Sequence, residues 1–244
     1  MQFDEFSGIL ENAFSDNNIS HLITQEISQK LYVLTQLLTR ENEKYNLTAI
    51  KDVRNIIYKH YADSLLISRH IGANSTLVDI GSGAGFPALP LAIAHPDLNI
   101  TAIDSTAKKV AFINSCSAEL KLNNITALST RAEDLAHNPK YRARFNYATA
   151  RAVSALPIIC ELAIPFLIKN GIFLAMKGNL SDEEHKNTLQ TIRQLNCEEV
   201  NTESYSLNIS TESEYRSIVI IKKIEKTPDN FPRNYAQITK KPLV

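Results

Sequence analysis

Cysteine, glycine, net charge and long apolar runs are all scarce in this chain, and each scarcity closes off a class of protein. The three cysteines, Cys116, Cys160 and Cys197, are odd in number and far apart. They suit neither a disulfide framework nor a zinc site, and the expectation is three buried or half-buried thiols in a reducing cytosol. The six histidines are scattered over 244 residues with no HxH or HxxxH pair, so the sequence predicts no metal centre. Lys+Arg and Asp+Glu both number 26 and cancel. Any argument for a nucleic-acid partner must therefore be local. No apolar run approaches the ~18 residues that span a bilayer. The segment Met1-Gln2-Phe3-Asp4-Glu5-Phe6 lacks the basic start of a secretory signal. A cytoplasmic protein with no membrane partner is expected. Its 44% hydrophobic and 21% charged residues are ordinary for a globular chain, and the length suits one domain with an appendage or two small ones.

Of only seven glycines, three fall at positions 81, 83 and 85. A chain poor in glycine places it where φ must be positive or where the backbone must approach something closely. The stretch Leu77-Val78-Asp79-Ile80-Gly81-Ser82-Gly83-Ala84-Gly85-Phe86-Pro87 reads as strand, glycine loop and helix start, with Thr76 to Ile80 as a buried strand and Pro87 in the first helical turn. That layout aims backbone N–H groups and a helix N-terminus at a ligand. The loop is D-x-G-x-G-x-G. Phe86 stands where a dinucleotide fingerprint needs its third glycine, and it would crowd a pyrophosphate. S-adenosylmethionine (SAM) carries no phosphate, and Asp79 suits its ammonium end, directly or through water.

Asp104 follows a strand-like run, Leu98 to Ile103, and lies 23 residues beyond Gly81. At that spacing an acidic side chain can accept both hydroxyls of a ribose, although an aspartate there also serves as a helix N-cap. A helix from Ser105 to about Leu120 and a strand from Ile125 to Thr130 come next. Ala132 and Glu133 then either hydrogen-bond an adenine through their backbone or simply open the next helical turn. Further strands fit Phe145 to Ala150 and Gly171 to Lys177, with helices from Pro157 and from Ser181. Two β-like runs follow, around Glu198 to Leu207 and Tyr215 to Ile221. This alternation predicts an α/β fold with a mostly parallel sheet covered on both faces and an antiparallel edge hairpin.

Ahead of it, Ile23, Ile27, Leu31, Leu34 and Leu38 mark an amphipathic helix, and Asp52 to His70 reads as a second. The expected organisation is a helical region over 1–70 packed on the core, a ligand-binding core over 71–225 and a basic tail over 226–244. From Lys222 to Val244 six cations face two acids, a local charge of +4, with Phe231 and Tyr235 among them. Such a tail either touches RNA or is a solvated terminus.

Taken together, these motifs resemble the ribosomal RNA small-subunit methyltransferase G family, also called glucose-inhibited division protein B. The likeness rests on Asn46-Leu47-Thr48-Ala49-Ile50, on His60 with Asp63-Ser64-Leu65, on Asp79 to Pro87, and on Leu89-Pro90-Leu91-Ala92. It continues through Asp104-Ser105 with Lys108-Lys109-Val110, Arg131-Ala132-Glu133, Arg151-Ala152, Met176-Lys177-Gly178 and the terminal Lys240-Lys241-Pro242-Leu243. Ala88, Lys59 and Ala150 depart from the residues usual there (glycine, arginine and serine). The resemblance implies a Rossmann-like class I SAM-dependent methyltransferase fold with a seven-stranded sheet, and transfer of a methyl group to N7 of one guanine of 16S rRNA. The substrate would be the small ribosomal subunit or its precursor, met by a monomer without a metal. Position by position it implies that Gly81 and Phe86 line the SAM site, that Asp104, Ser105 and Thr106 hold the ribose and adenosine region, and that Ala132 and Glu133 flank the adenine. Arg151 would border the place where cofactor and base meet and act as the catalytic residue, with Arg131 or Lys177 as further candidates for orienting base or phosphate.

What the sequence lacks agrees with this. Exocyclic-amine methylation goes with an Asn/Asp-Pro-Pro-aromatic motif after the fourth strand, where this chain reads Ala150-Arg151-Ala152-Val153. Pyrimidine-carbon methylation uses a cysteine, and none sits at a strand end. Guanine N7 has an in-plane lone pair and no proton, so alignment and electrostatics suffice. The residues alone also admit an NAD-type oxidoreductase, a SAM methyltransferase with another substrate, or a non-catalytic RNA-binding protein.

Overall fold

The structure is a computed structural model that describes residues 1–151 and 153–244; Ala152, part of the Arg151-Ala152 segment noted above, lies outside the described residues. The chain begins with α1 (Phe3–Asp16) and α2 (Gln25–Tyr45), the latter capped by Thr24. A helical stretch follows as α3 (Val53–Ile56), a π-helical segment (Ile57–Ala62), α4 (Asp63–Leu65) and a 3-10 segment (Leu66–His70). The Asp52 side chain caps it by accepting from the Asn55 N–H at 2.8 Å. The sequence predicted one regular helix here. The wider turn inserts an extra residue around His60, so side chains on both sides of the helix are buried, including Ile56, Ile57, Tyr61 and Leu65.

The core alternates as predicted: β1 (Thr76–Ile80), α5 (Ala88–Ala94), β2 (Asn99–Asp104), α6 (Ala107–Glu119), β3 (Ile125–Ser129), α7 (Ala132–Leu135), β4 (Phe145–Arg151), α8 (Leu156–Ala163), β5 (Leu167–Lys177), α9 (Asp182–Gln194), β6 (Cys197–Ile209) and β7 (Glu212–Lys223). Pro87 stands one residue ahead of α5 as its cap rather than inside the first turn. The sheet order is β3-β2-β1-β4-β5-β7-β6, with β7 antiparallel to both β5 and β6 and the other pairs parallel. The chain leaves β1 toward β2 on one side and later places β4 on the other. The loops therefore part at the carboxyl ends of β1 and β4, where open α/β sheets form their binding crevice.

Two elements run longer than their hydrophobic pattern foretold. β5 starts at Leu167 because Phe145 pairs with it ahead of a register shift. The β6–β7 hairpin extends past the sheet and packs on the N-terminal helices. Its Leu207 and Ile209 join a buried cluster with Phe6, Leu10 and Phe14 of α1, and Asn17 and Asn208 exchange side-chain and backbone hydrogen bonds at 2.9 Å.

The last segment carries α10 (Tyr235–Lys240) and lies against α8. Arg233 makes a two-pronged contact with the fully buried Glu161, at 2.6 and 2.9 Å. Arg142 donates to the carbonyls of Thr227, Pro228 and Phe231. Part of the segment's positive charge is taken up within the protein, by burial of Lys223 and pairing of Arg233 with Glu161, while Lys226 pairs with Asp229 at the surface.

Candidate functional site

A cavity of about 430 Å³ opens at the carboxyl ends of β1, β2 and β4. Gly81, Phe86, Asp104, Ser105, Thr106, Ala132, Glu133 and Arg151 all line it, together with Arg131, whereas Asp79 and Lys177, also named from sequence, do not. The glycine loop folds over β1 with Gly81, Gly83 and Gly85 all at positive φ. At Gly85, with φ +90°, a Cβ would lie 2.5 Å from Leu89 Cδ1, so any other residue strains the backbone and forces Leu89 to shift.

Asp104 is pinned by two backbone donors: Oδ2 accepts from the Gly83 N–H at 3.0 Å and Oδ1 from the Thr106 N–H at 2.8 Å. Each carboxylate oxygen keeps a second lone pair. The side chain thus serves both as a turn-former and as an acceptor on the cavity wall. Ala132 and Glu133 open α7, and the first N–H groups of a helix have no internal partner. Arg131 lies over the ring of Tyr235, 5.7 Å from its centroid. Tyr235, brought from the C-terminal segment, completes the wall.

Asp79 is fully buried beneath the loop and does not line the cavity. Register places it beside Thr149, whose hydroxyl donates to Oδ1 at 2.9 Å. Among the described residues its Oδ2 has no hydrogen-bond partner. Burial pushes the carboxyl up to about 6. An unpaired buried acceptor under the loop is what a cationic ligand end would satisfy, through the loop or through water. The size of the cavity, the pinned Asp104 and the orphaned Asp79 fit SAM, whose ribose needs acceptors and whose amino-acid end is charged.

Arg151 closes β4 and is the most heavily tied side chain at the site. Its Nη1 donates to the Lys59 carbonyl at 2.7 Å and to Asp63 Oδ2 at 3.1 Å, and Nη2 donates to His60 Nδ1 at 3.1 Å. Its guanidinium carbon sits 5.7 Å from the Phe86 ring centroid. The His60 ring stacks on Phe86 at 4.3 Å and 9°. Because Nδ1 accepts from Arg151, Nε2 carries the proton and donates to Thr48 Oγ1 at 2.9 Å. Burial, then the nearby Arg151 charge, hold His60 down to about 3, so it stays neutral at pH 7.

Beyond this wall lies a second cavity of about 410 Å³ that sequence reasoning did not foresee. Arg151 lines both. The other lining residues come from the π-helical segment and α4 (Lys59, His60, Asp63), from the end of β5 (Met176, Lys177, Gly178), from β7 (Glu214, Arg216) and from Ile50. Asp63 is buried, with Arg151 on one oxygen and Arg216 Nε at 3.4 Å on the other. Glu214 Oε1 accepts from Lys59 Nζ at 2.5 Å and Oε2 from Arg216 at 2.7 Å. Ile50, His60, Asp63, Arg151 and Met176 to Gly178 stand in motifs read from the sequence, whereas Glu214 and Arg216 belong to none of them, and their only signal is a spacing that puts both on one face of β7. Lys177 bonds Glu184 at 2.8 Å and the Ser154 carbonyl at 3.2 Å.

No helix among the described residues is long and apolar enough to cross a membrane. Among solved structures, the [4+2]-cyclase SpnF superposes with a TM-score of 0.54 at 16% identity, covering 67% of this chain and 81% of that one. A SAM-dependent O-methyltransferase from Thermotoga maritima gives 0.50 at 12% identity, covering 68% and 66%. Likeness at that level shows the class I methyltransferase fold alone. Sequence is more specific. Ribosomal RNA small subunit methyltransferase G of Deinococcus deserti is 39% identical over 212 residues, 86% of each chain. The family model described as rRNA small subunit methyltransferase G matches residues 27–213. With the glycine loop, Asp104, Ala132-Glu133 and Arg151 all on one cavity inside that match, the chain belongs to the ribosomal RNA small subunit methyltransferase G family.

Proposed function

We propose that this protein transfers the methyl group of SAM to N7 of a single guanine in 16S rRNA, within the small ribosomal subunit or its precursor, acting in the cytoplasm as a monomer without a metal. SAM, when bound, supplies a methyl group on a cationic sulfonium that is ready for in-line displacement. Asp104 would accept from its ribose hydroxyls, with Ser105 and Thr106 alongside. Ala132 and Glu133 would bond the adenine through their backbone, and Gly81 and Phe86 would line the sulfonium end.

The observation that carries the reading is the junction of the two cavities. None of the described side chains that contact Arg151 there is a free proton acceptor. His60 is neutral, has both nitrogens engaged and resists protonation. Asp63 is paired with two arginines. All three cysteines are buried and line neither cavity. An acceptor that must lose a proton has no partner at this junction, whereas guanine N7 has none to lose. Its lone pair also needs no Lewis acid.

Arg151 would do two things. Three of its five N–H groups are held by acceptors among the described residues, leaving two for guanine O6 or a phosphate, while N7 keeps its single lone pair for the methyl carbon. Its charge is balanced by Asp63, so a sulfonium nearby is not repelled by an uncompensated cation. Transfer moves positive charge from the first cavity toward the base, where Asp63 and Glu214 already stand to receive it.

Transfer of labelled methyl from SAM to isolated small subunits, compared with total cell protein and with an Arg151→Ala variant, tests this. Label in small-subunit rRNA that is lost in the variant supports the reading; label in protein or small molecules refutes it.

A further inference from the structure

We propose that the second cavity is the seat of the target base and that Glu214, on β7, selects guanine by accepting from its N1–H and 2-amino group. This rests on the guanine-N7 reading above and adds the residue that would recognise the base.

Three observations lead there. The cavity meets the cofactor cavity at Arg151 alone among charged residues, so a base seated in it and attacked through N7 turns that edge toward Arg151. The N1 and 2-amino edge of the purine then faces into the cavity, which is also lined by the Lys59–Glu214–Arg216 side. That side bears an oriented carboxylate. Lys59 at 2.5 Å and Arg216 at 2.7 Å take one lone pair on each oxygen of Glu214, which leaves the outer two for a ligand. Hydrogen bonds from the same two cations hold its pKa below the usual glutamate value, so it is an anion and a pure acceptor at neutral pH.

The chemistry separates guanine from its rivals. Only guanine offers two adjacent donors, N1–H and the 2-amino group, to a carboxylate. Adenine presents an acceptor at N1, which Glu214 would repel. Asp63 cannot take the role, because its oxygens already hold Arg151 and Arg216 and it is buried. A site for phosphate alone would have no use for a carboxylate on its wall. After transfer the base is cationic, and the same carboxylate faces that charge.

Inosine keeps N7, O6 and N1–H but lacks the 2-amino group. Methyl transfer is measured on small-subunit rRNA carrying guanosine or inosine at the methylated position. The wild type is expected to lose about 10- to 100-fold in kcat/KM on inosine, since a site built to bond a substrate group rejects the analogue that lacks it. Glu214→Gln and Glu214→Ala should discriminate less than about threefold, while Glu212→Gln on the same hairpin, outside both cavities, should behave as wild type. SAM affinity by calorimetry should stay within twofold in all of them, showing that the fold and first cavity are intact. If a Glu214 variant is too slow to assay, anisotropy measurements of its affinity for the two RNAs make the same comparison. Glu214 variants that discriminate as strongly as wild type, or a wild type indifferent to inosine, overturn the proposal. Methylation by the wild type at an atom other than guanine N7, seen by mass analysis of nucleosides, instead overturns the functional reading beneath it.

Discussion

Asp79→Asn should make the protein more stable and a poorer enzyme. The native state holds Asp79 with no access to water, one oxygen bonded to Thr149 and the other without a partner among the described residues. Its pKa is pushed up to about 6, above the unfolded value of 3.8, chiefly by burial. The sign follows from proton counts. Between pH 3.8 and 6 the native state holds a proton that the unfolded state has lost, so this group's contribution falls as pH rises and is fully lost above pH 6. Roughly two pKa units at about 1.4 kcal/mol each make the neutral-pH penalty about 3 kcal/mol. Asparagine keeps the acceptor facing Thr149 and exchanges an unpaired acceptor for an unpaired donor of similar cost, so the gain at pH 7 is most of that penalty. At about 2–4 °C per kcal/mol for a chain of this length, melting should rise by about 6–12 °C. The gain should shrink to nothing near pH 4, and SAM affinity should fall because the anion under the loop is gone. Thermal and urea unfolding of both proteins between pH 4 and 8 measures this. A variant no more stable than wild type at pH 7, or equally favoured at pH 4 and 7, refutes the reasoning.

Four other outcomes follow from neighbouring contacts. His60, held near 3, stays neutral while an unfolded histidine protonates below about 6.5, so its contribution falls as pH drops from 6.5 to 3; the opposing Asp79 slope offsets it between about pH 6 and 4, and His60→Gln, leaving Asp79 unopposed, should gain stability relative to wild type as the pH falls through that window. Asp63→Asn leaves Arg151 and Arg216 without their shared counter-ion and should cost about 2–4 kcal/mol, less than a wholly buried pair because both arginines are partly exposed, together with at least tenfold in methyl transfer; pairing it with Arg216→Gln should recover part of the stability but not the activity. Gly85→Ala forces a Cβ against Leu89 at positive φ and should cost about 1–3 kcal/mol in urea unfolding. Tyr235→Ala should weaken SAM binding severalfold by calorimetry with little effect on melting, since the ring caps the first cavity from a segment otherwise held by Arg233 and Glu161.

The first cavity was legible because its residues sit at the ends of strands whose spacing the chain displays locally. Gly81 to Gly85, Asp104 and Ala132-Glu133 each follow a short apolar run, and an α/β alternation carries all such positions to one rim. The second cavity was legible only as separate motifs, because its walls come from segments far apart in the chain: Lys59 meets Glu214, and Asp63 meets Arg151 and Arg216. Nothing periodic announces those meetings. They depend on the length of the β6–β7 hairpin, whose outer half shows little apolar patterning beyond Leu207 and Ile209, and on the wider helical turn at His60. The basic tail shows the opposite limit. Its composition suggested RNA or solvent, but composition cannot show that Glu161, inside an apolar helix, awaits Arg233. Asp79 was expected at the ligand, directly or through water; burial under the loop leaves only the indirect route.

The most direct test of the account is the identity of the atom that receives the methyl group. Small-subunit rRNA from cells lacking this protein, digested and mapped by mass spectrometry, should miss one 7-methylguanosine. Wild-type protein with SAM should restore it in vitro, and the Arg151→Ala variant should not. A full complement of 7-methylguanosine in that rRNA, or restoration of a methyl group on any other atom, would contradict the account.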